Sequence, residues 1–149
     1  MATKQQIAGE IGERLVAQQC TCPKCKRTRT LKQLPANFKC ADLVCDFCGF
    51  LAQVKACSVE DPEVPPDTIL GAAWGPQKER MESAIYFPLY IVAFAKQGRK
   101  RAVYYLSADL QEPHIFEPRK PLSSTARRAG WQGFNYRLTN IRDRLVRLS

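Results

Sequence analysis

The sequence has no apolar run near the roughly 18 residues that a membrane-spanning helix requires. Its longest apolar stretch, Ile85 to Ala95, is interrupted by Pro88 and reads as a buried strand. The N-terminal MATKQQIAGEIGERLV has neither the continuous apolar core nor the small-residue cleavage site of an export signal, which predicts a cytoplasmic protein with no membrane association. There is one histidine, His114, and it follows Pro113 in a loop, so it is read as a surface residue and not as a general base. Internal repeats and low-complexity segments are also lacking. A chain of 149 residues can bury a real core, and a single domain over 1–149 is expected, with little room for a second module.

Cysteine and positive charge are what the chain has in quantity. Seven cysteines without an export signal point to metal ligands or buried thiols, and an odd number cannot all pair as disulfides. The formal net charge is +9, and it is unevenly placed: residues 1–95 carry 11 basic and 10 acidic side chains, residues 96–149 carry 12 and 4. A basic excess of that kind suits the phosphate backbone of a nucleic acid, with a merely solvated face as the other reading.

Four of the cysteines form two Cys-x-x-Cys pairs, Cys22/Cys25 and Cys45/Cys48, with 19 residues between Cys25 and Cys45. Each tight turn delivers two thiolates, and four thiolates satisfy tetrahedral zinc with no position left for water, so the spacing predicts a structural zinc ribbon over approximately 20–50. Cys20, Cys40 and Cys57 fall outside the pattern and are read as buried thiols. Lys24, Lys26, Arg27, Arg29 and Lys32 lie on the ribbon's loop, as a basic finger for phosphates or as a flexible solvated loop.

Phe38 to Val44 and Phe50 to Ala56 read as a hairpin closed by that zinc. The strand period of two puts Leu51, Gln53 and Lys55 on one face and Ala52, Val54 and Ala56 on the other, a small apolar face suited to a helix. Asp42 on the neighbouring strand then stands near Gln53 and Lys55. A carboxylate, an amide oxygen and the backbone carbonyl of Val54 are hard oxygen ligands that suit magnesium, and Lys55 can orient an attacking water. Asp42, Gln53 and Lys55 are therefore the candidate catalytic residues of a phosphodiesterase. Residues 5–19 fit an amphipathic helix with Ile7, Ile11, Leu15 and Val16 as its apolar stripe. Glu13, near the edge of that stripe, is a fourth candidate for the metal site, with a solvated surface glutamate as the other reading.

Further along, the acidic, proline-rich 58–68 predicts an exposed loop, and Ile69 to Trp74 and Pro76 to Ala84 predict short helical pieces with Glu79 and Arg80 facing solvent. Tyr86 to Ala95 and Arg101 to Ser107 predict core strands buried on both faces, Phe134 to Leu138 a last strand, and Ile141 to Leu148 a final helix capped by Asn140. In RKPLSSTARRAGWQGFNYRL, residues 119–138, the guanidinium groups of Arg127 and Arg128 suit phosphate or guanine, and Gly130 and Gly133 permit a loop presenting Trp131 to DNA; a core tryptophan is the alternative.

That C-terminal segment resembles one in DpnI-type restriction endonucleases, of the form RKPL-x-x-TARRAGW-x-G-x-N; Arg119 to Leu122, Thr125 to Trp131, Gly133 and Asn135 agree with it. The ribbon is similar too: Cys22-Pro23-Lys24-Cys25, Ala41-Asp42 and Cys45/Cys48 follow the family's order, and Gln53-Val54-Lys55 stands where the family has Glu-x-Lys. Mrr-like nucleases of the wider superfamily carry Gln-x-Lys at this place. The resemblance implies an α+β fold of the PD-(D/E)xK restriction-endonuclease type, a mixed sheet flanked by helices with an inserted four-cysteine zinc ribbon. It also implies magnesium-dependent cleavage of double-stranded DNA at GATC sites carrying N6-methyladenine, with 119–148 as a DNA-contact segment that includes Arg119 and Lys120. The winged-helix domain of such enzymes has no counterpart in 149 residues, so a protein partner supplying specificity is a further expectation. The rival expectation from the same residues is a non-catalytic zinc-ribbon module that binds DNA.

Overall fold

A computed structural model describes residues 3–35, 38 and 41–148. Thr3 starts the first helix with a reciprocal cap: its hydroxyl accepts from the Gln6 N–H at 3.1 Å, and Gln6 Oε1 accepts from the Thr3 N–H at 2.8 Å. The helix, α1, spans Lys4–Gln19, close to the expected 5–19. Its buried face differs from the expected stripe. Leu15 and Val16 are buried, but Ile7 and Ile11 are 47% and 44% exposed. Gly12 explains the rotation, because a Cβ there would already touch Val92 Cγ2 at 3.4 Å and Ala56 Cβ at 3.6 Å. The helix sits low on the sheet along Ala8, Gly12, Leu15 and Val16, and at about 100° per residue Ile7 and Ile11 are turned away.

The strands are β1 (Leu31–Gln33), β2 (Leu43–Cys45), β3 (Leu51–Val59), β4 (Thr68–Gly71), β5 (Leu89–Ala95), β6 (Arg101–Leu106), β7 (Phe116–Pro118), β8 (Phe134–Arg137) and β9 (Val146–Arg147). Six form one mixed sheet in the order β1-β2-β3-β5-β6-β9, and β4-β8-β7 form a small antiparallel sheet. Within the large sheet only β3 and β5 pair in parallel, Gln53 opposite Leu89 through Val59 opposite Ala95. Parallel neighbours need a crossover. Residues 60–88 supply it and carry β4 and the second helix, α2 (Trp74–Glu82).

The central strands β5 and β6 of the large sheet are buried on both faces, as their apolar runs predict, and its edge strands β1 and β9 are largely exposed. Along β5, Tyr90 and Val92 join Leu15, Val16, Ala52 and Val54 beneath α1, whereas Leu89, Ile91 and Ala93 join Phe116, Phe134 and Tyr136 of the small sheet. The architecture is the expected α+β arrangement, a mixed sheet flanked by few helices.

Four segments depart from the sequence reading. The first strand of the hairpin, expected over Phe38 to Val44, spans Leu43–Cys45, so Asp42 stands just before it. The acidic, proline-rich stretch is only partly a loop: β3 continues to Val59, and buried Pro62 accepts a hydrogen bond from the Tyr104 hydroxyl through its carbonyl oxygen. Ile69 to Gly71 is strand, not helix, because Ile69 and Gly71 pair with Tyr136 and Phe134. A Cβ at Gly71 would overlap Phe134 Cζ, so only glycine lets the ring rest on this strand. The predicted final helix is a 3-10 turn at Thr139–Arg144 followed by β9. Val146 and Arg147 find backbone partners on β6, and Arg142 is held by Asp67 at 2.8 Å, interactions distant in sequence that override a local helical preference.

Candidate active site and cysteine cluster

The hairpin of β2 and β3 carries a different site at each end of its short strand. At the far end Cys45 closes β2, and the turn that follows brings Cys48 back, with Gly49 in the left-handed region at φ 79° and its N–H donating to the Cys45 carbonyl at 2.9 Å. Cys22 and Cys25 approach from the turn after α1. Sγ of Cys22 lies 3.6 Å from that of Cys48, Sγ of Cys25 lies 3.7 Å from that of Cys45, and all four sulfurs are within 4.8 Å of one another. A tetrahedron with metal–sulfur bonds of about 2.3 Å has sulfur–sulfur edges of about 3.8 Å, so the four thiols fit a single tetrahedral metal ion. Burial pushes the remaining Cys20 and Cys57 thiols up to about 11; Cys20 is buried as expected, whereas Cys57 is only half-buried. Cys40 lies outside the described residues.

At the near end, Asp42 immediately precedes β2. Its Oδ2 accepts a 2.7 Å hydrogen bond from the Val54 N–H, and its own N–H donates to the Ala52 carbonyl at 2.9 Å. These bonds fix the carboxylate across from β3, where alternation turns Gln53 and Lys55 to the same side and leaves Ala52 and Val54 beneath α1. Asp42, Gln53 and Lys55 line one cleft of about 330 Å³, walled on its other side by α2 and by Phe134 and Tyr136 of β8. The Tyr136 hydroxyl donates to Gln53 Oε1 at 3.3 Å, joining residues 83 apart in sequence.

The electrostatics place Glu13 with this group. Burial, together with Asp42 and Glu10, pushes its carboxyl up to about 7, against the pull of Lys55. Burial holds the Lys55 ammonium below the usual lysine range; Arg80 acts in the same direction, and Asp42 and Glu13 oppose it. Glu13 is thus near enough to sense both residues, although it does not line the cleft itself.

Arg80, expected in solvent, is instead half-buried on the cleft wall. The reason is β4: its strand pairing turns the following α2 so that Gln77 and Arg80, one helical turn apart, face the hairpin. Tyr136 is a second site residue that the sequence reading does not single out. Its signal is the period of two that puts Phe134 and Tyr136 on one face of the last strand.

A model of the DpnI, Dam-replacing family matches residues 1–145. The chain belongs to that family. As a member of the Dam-replacing family it is a nuclease of the restriction-endonuclease kind that acts on DNA. Among the described residues no helix is long and apolar enough to cross a membrane.

The family's C-terminal segment forms an excursion between β7 and β8. Arg119 N–H donates to the Gly133 carbonyl at 3.0 Å, Leu122 N–H to that of Trp131 at 2.8 Å, and Gly130 N–H to that of Leu122 at 2.9 Å. Arg119, Lys120, Arg127 and Arg128 are exposed along it. Trp131 is half-buried, with the Arg128 guanidinium 4.6 Å from its ring centre, an intermediate position between a free tip and a core residue. The Trp74 N–H donates to the Gln132 carbonyl at 2.9 Å, which ties this segment to the start of α2 and so to the cleft wall.

Proposed function

We propose that the chain is a magnesium-dependent endonuclease that cuts duplex DNA at a short adenine-methylated site of the GATC type, as part of restriction or defence in the cytoplasm. The observation that carries this reading is the meeting of Asp42, Gln53 and Lys55 in one cleft of a chain from a restriction-endonuclease family.

The donor set suits the metal. The Asp42 carboxylate, held by one oxygen to the Val54 N–H, keeps the other as a hard ligand, and Gln53 Oε1 and the Val54 carbonyl complete an oxygen-only set of the type magnesium takes. Bound there, magnesium supplies Lewis acidity, lowering the pKa of water and screening charge on the phosphate. Lys55 orients the attacking water and stabilises negative charge, and partial burial strengthens that interaction by excluding solvent. Tyr136 keeps the Gln53 amide oxygen turned into the cleft. Glu13 adds a carboxyl beside Asp42. The four cysteines hold structural zinc, closed to solvent ligands, and fix the end of β2. Arg119, Lys120, Arg127 and Arg128 supply phosphate contacts next to the cleft, and Trp131 meets the bases.

Purified protein in magnesium is expected to cut a plasmid carrying N6-methyladenine and to spare its unmethylated copy. Asp42→Ala and Lys55→Ala should each lower cutting at least about 100-fold while zinc stays near about one per chain. Full cutting by both variants removes this assignment.

A further inference from the structure

We infer that Arg80 binds the scissile phosphate directly, as a second cation beside Lys55, an inference that rests on the nuclease reading above. Among the described residues that line the cleft, three carry formal charge: Asp42, Lys55 and Arg80. Gln53 is neutral. The walls therefore bear two cations and one carboxylate around the same small volume. Two cations lining one cleft favour the entry of a further anion. A phosphodiester is that anion, and its charge grows at the nonbridging oxygens during attack.

The guanidinium is held for this task. Gln77 is 4% exposed, and its Oε1 accepts from Arg80 Nη1 at 3.4 Å. The Phe87 ring centre lies 5.8 Å from the guanidinium carbon on another side. A planar fork positioned by a buried amide and a ring matches two phosphate oxygens, which a lysine ammonium does less well. Where a glutamate at position 53 would add negative charge to the site, Gln53 does not, and Arg80 then supplies positive charge at the phosphate that the protein itself carries. Hydrolysis adds the oxygen of water to phosphorus and breaks one P–O ester bond, and a proton of that water ends on the released hydroxyl. Arg80 takes no proton in this step. Its part is to stabilise the phosphoryl oxygens throughout.

The test compares Arg80→Gln and Arg80→Lys with the unaltered protein on methylated duplex, measuring single-turnover cutting in magnesium and binding in calcium, with a thermal melt to establish folding. Arg80→Gln is expected to cut about 100-fold more slowly or worse, with binding changed less than about fivefold, and Arg80→Lys to recover part of the rate. A phosphorothioate at the scissile position should slow the unaltered protein for one diastereomer, and that penalty should shrink in Arg80→Gln, a response that a merely structural arginine does not give. Cutting by Arg80→Gln within about threefold of the unaltered protein, or a rate loss with an undiminished phosphorothioate penalty, overturns the inference. In the first case Lys55→Ala separates the two levels: if it is inactive, the cleft assignment stands and only Arg80 fails; if it is also active, the nuclease site lies elsewhere.

Discussion

The two ends of β2 make opposite use of the same three-residue strand. One end is finished by Cys45, whose sulfur sits in a closed set of four thiols; the other follows Asp42, whose carboxylate opens on a cleft. The first site satisfies itself and leaves no position for a reactant. The second is open: burial pushes the Lys55 ammonium down on its wall and the Glu13 carboxyl up beside it. Perturbed groups in and beside an open cleft suit chemistry, whereas a complete ligand set suits structure. Because both hang on one strand, rigidity at the closed end is transmitted to the open end over a few residues of extended backbone.

The largest expected effect breaks the closed end. Cys45→Ser, or removal of the metal by a strong chelator, should unfold the ribbon, cost several kcal/mol in denaturant midpoint experiments, and abolish cutting even though Asp42 and Lys55 are intact. A melt unchanged by chelation contradicts a structural metal. A smaller effect is expected at the wall of the open end. Gly71→Ala drives a methyl group into the Phe134 ring, and Phe134, 3% exposed among Trp74, Phe116 and Tyr136, has little room to yield. Overpacking should cost about 1–3 kcal/mol and slow cutting through the displaced β8, without releasing zinc; a variant of full stability would mean that the ring moves freely.

The smallest effect concerns Glu13. Its folded-state pKa, pushed up to about 7 from an ordinary 4.5, means that the folded protein keeps a proton that the unfolded chain has released. That contribution is fully present below about pH 4.5 and is lost as pH rises to about 7. With zinc bound and no magnesium added, Glu13→Gln should flatten this slope and be more stable above pH 7 by roughly 1–2 kcal/mol, the partial exposure of the group holding the figure down. Parallel stability profiles for the two proteins would show that burial does not hold the Glu13 carboxyl up.

What the sequence made legible was local. The helix over 4–19, the two cysteine turns and the alternation of Gln53 and Lys55 each depend on residues within a few positions of one another, and each stands where the spacing predicted. What it concealed depended on distant partners. The residues 69–71 look like part of a helix until Phe134 and Tyr136 pair with them, and Ile141 to Leu148 looks helical until β6 offers an edge. Ile7 and Ile11 fit an apolar stripe by period, but Gly12 decides which side of α1 approaches the sheet. Arg80 followed from the same omission, since a strand at 68–71 is needed to aim the next helix inward.

The hydrogen bond between Tyr136 and Gln53 also orders events in time. The β2–β3 hairpin and its cysteines are complete in chain order by Lys55, but the aromatic wall arrives 83 residues after Gln53. Contacts between distant residues carry the larger loop-closure cost and form slowly. During synthesis the cleft therefore stays unfinished until β8 is made, and the wall that faces Gln53 exists only after Tyr136 has joined the chain.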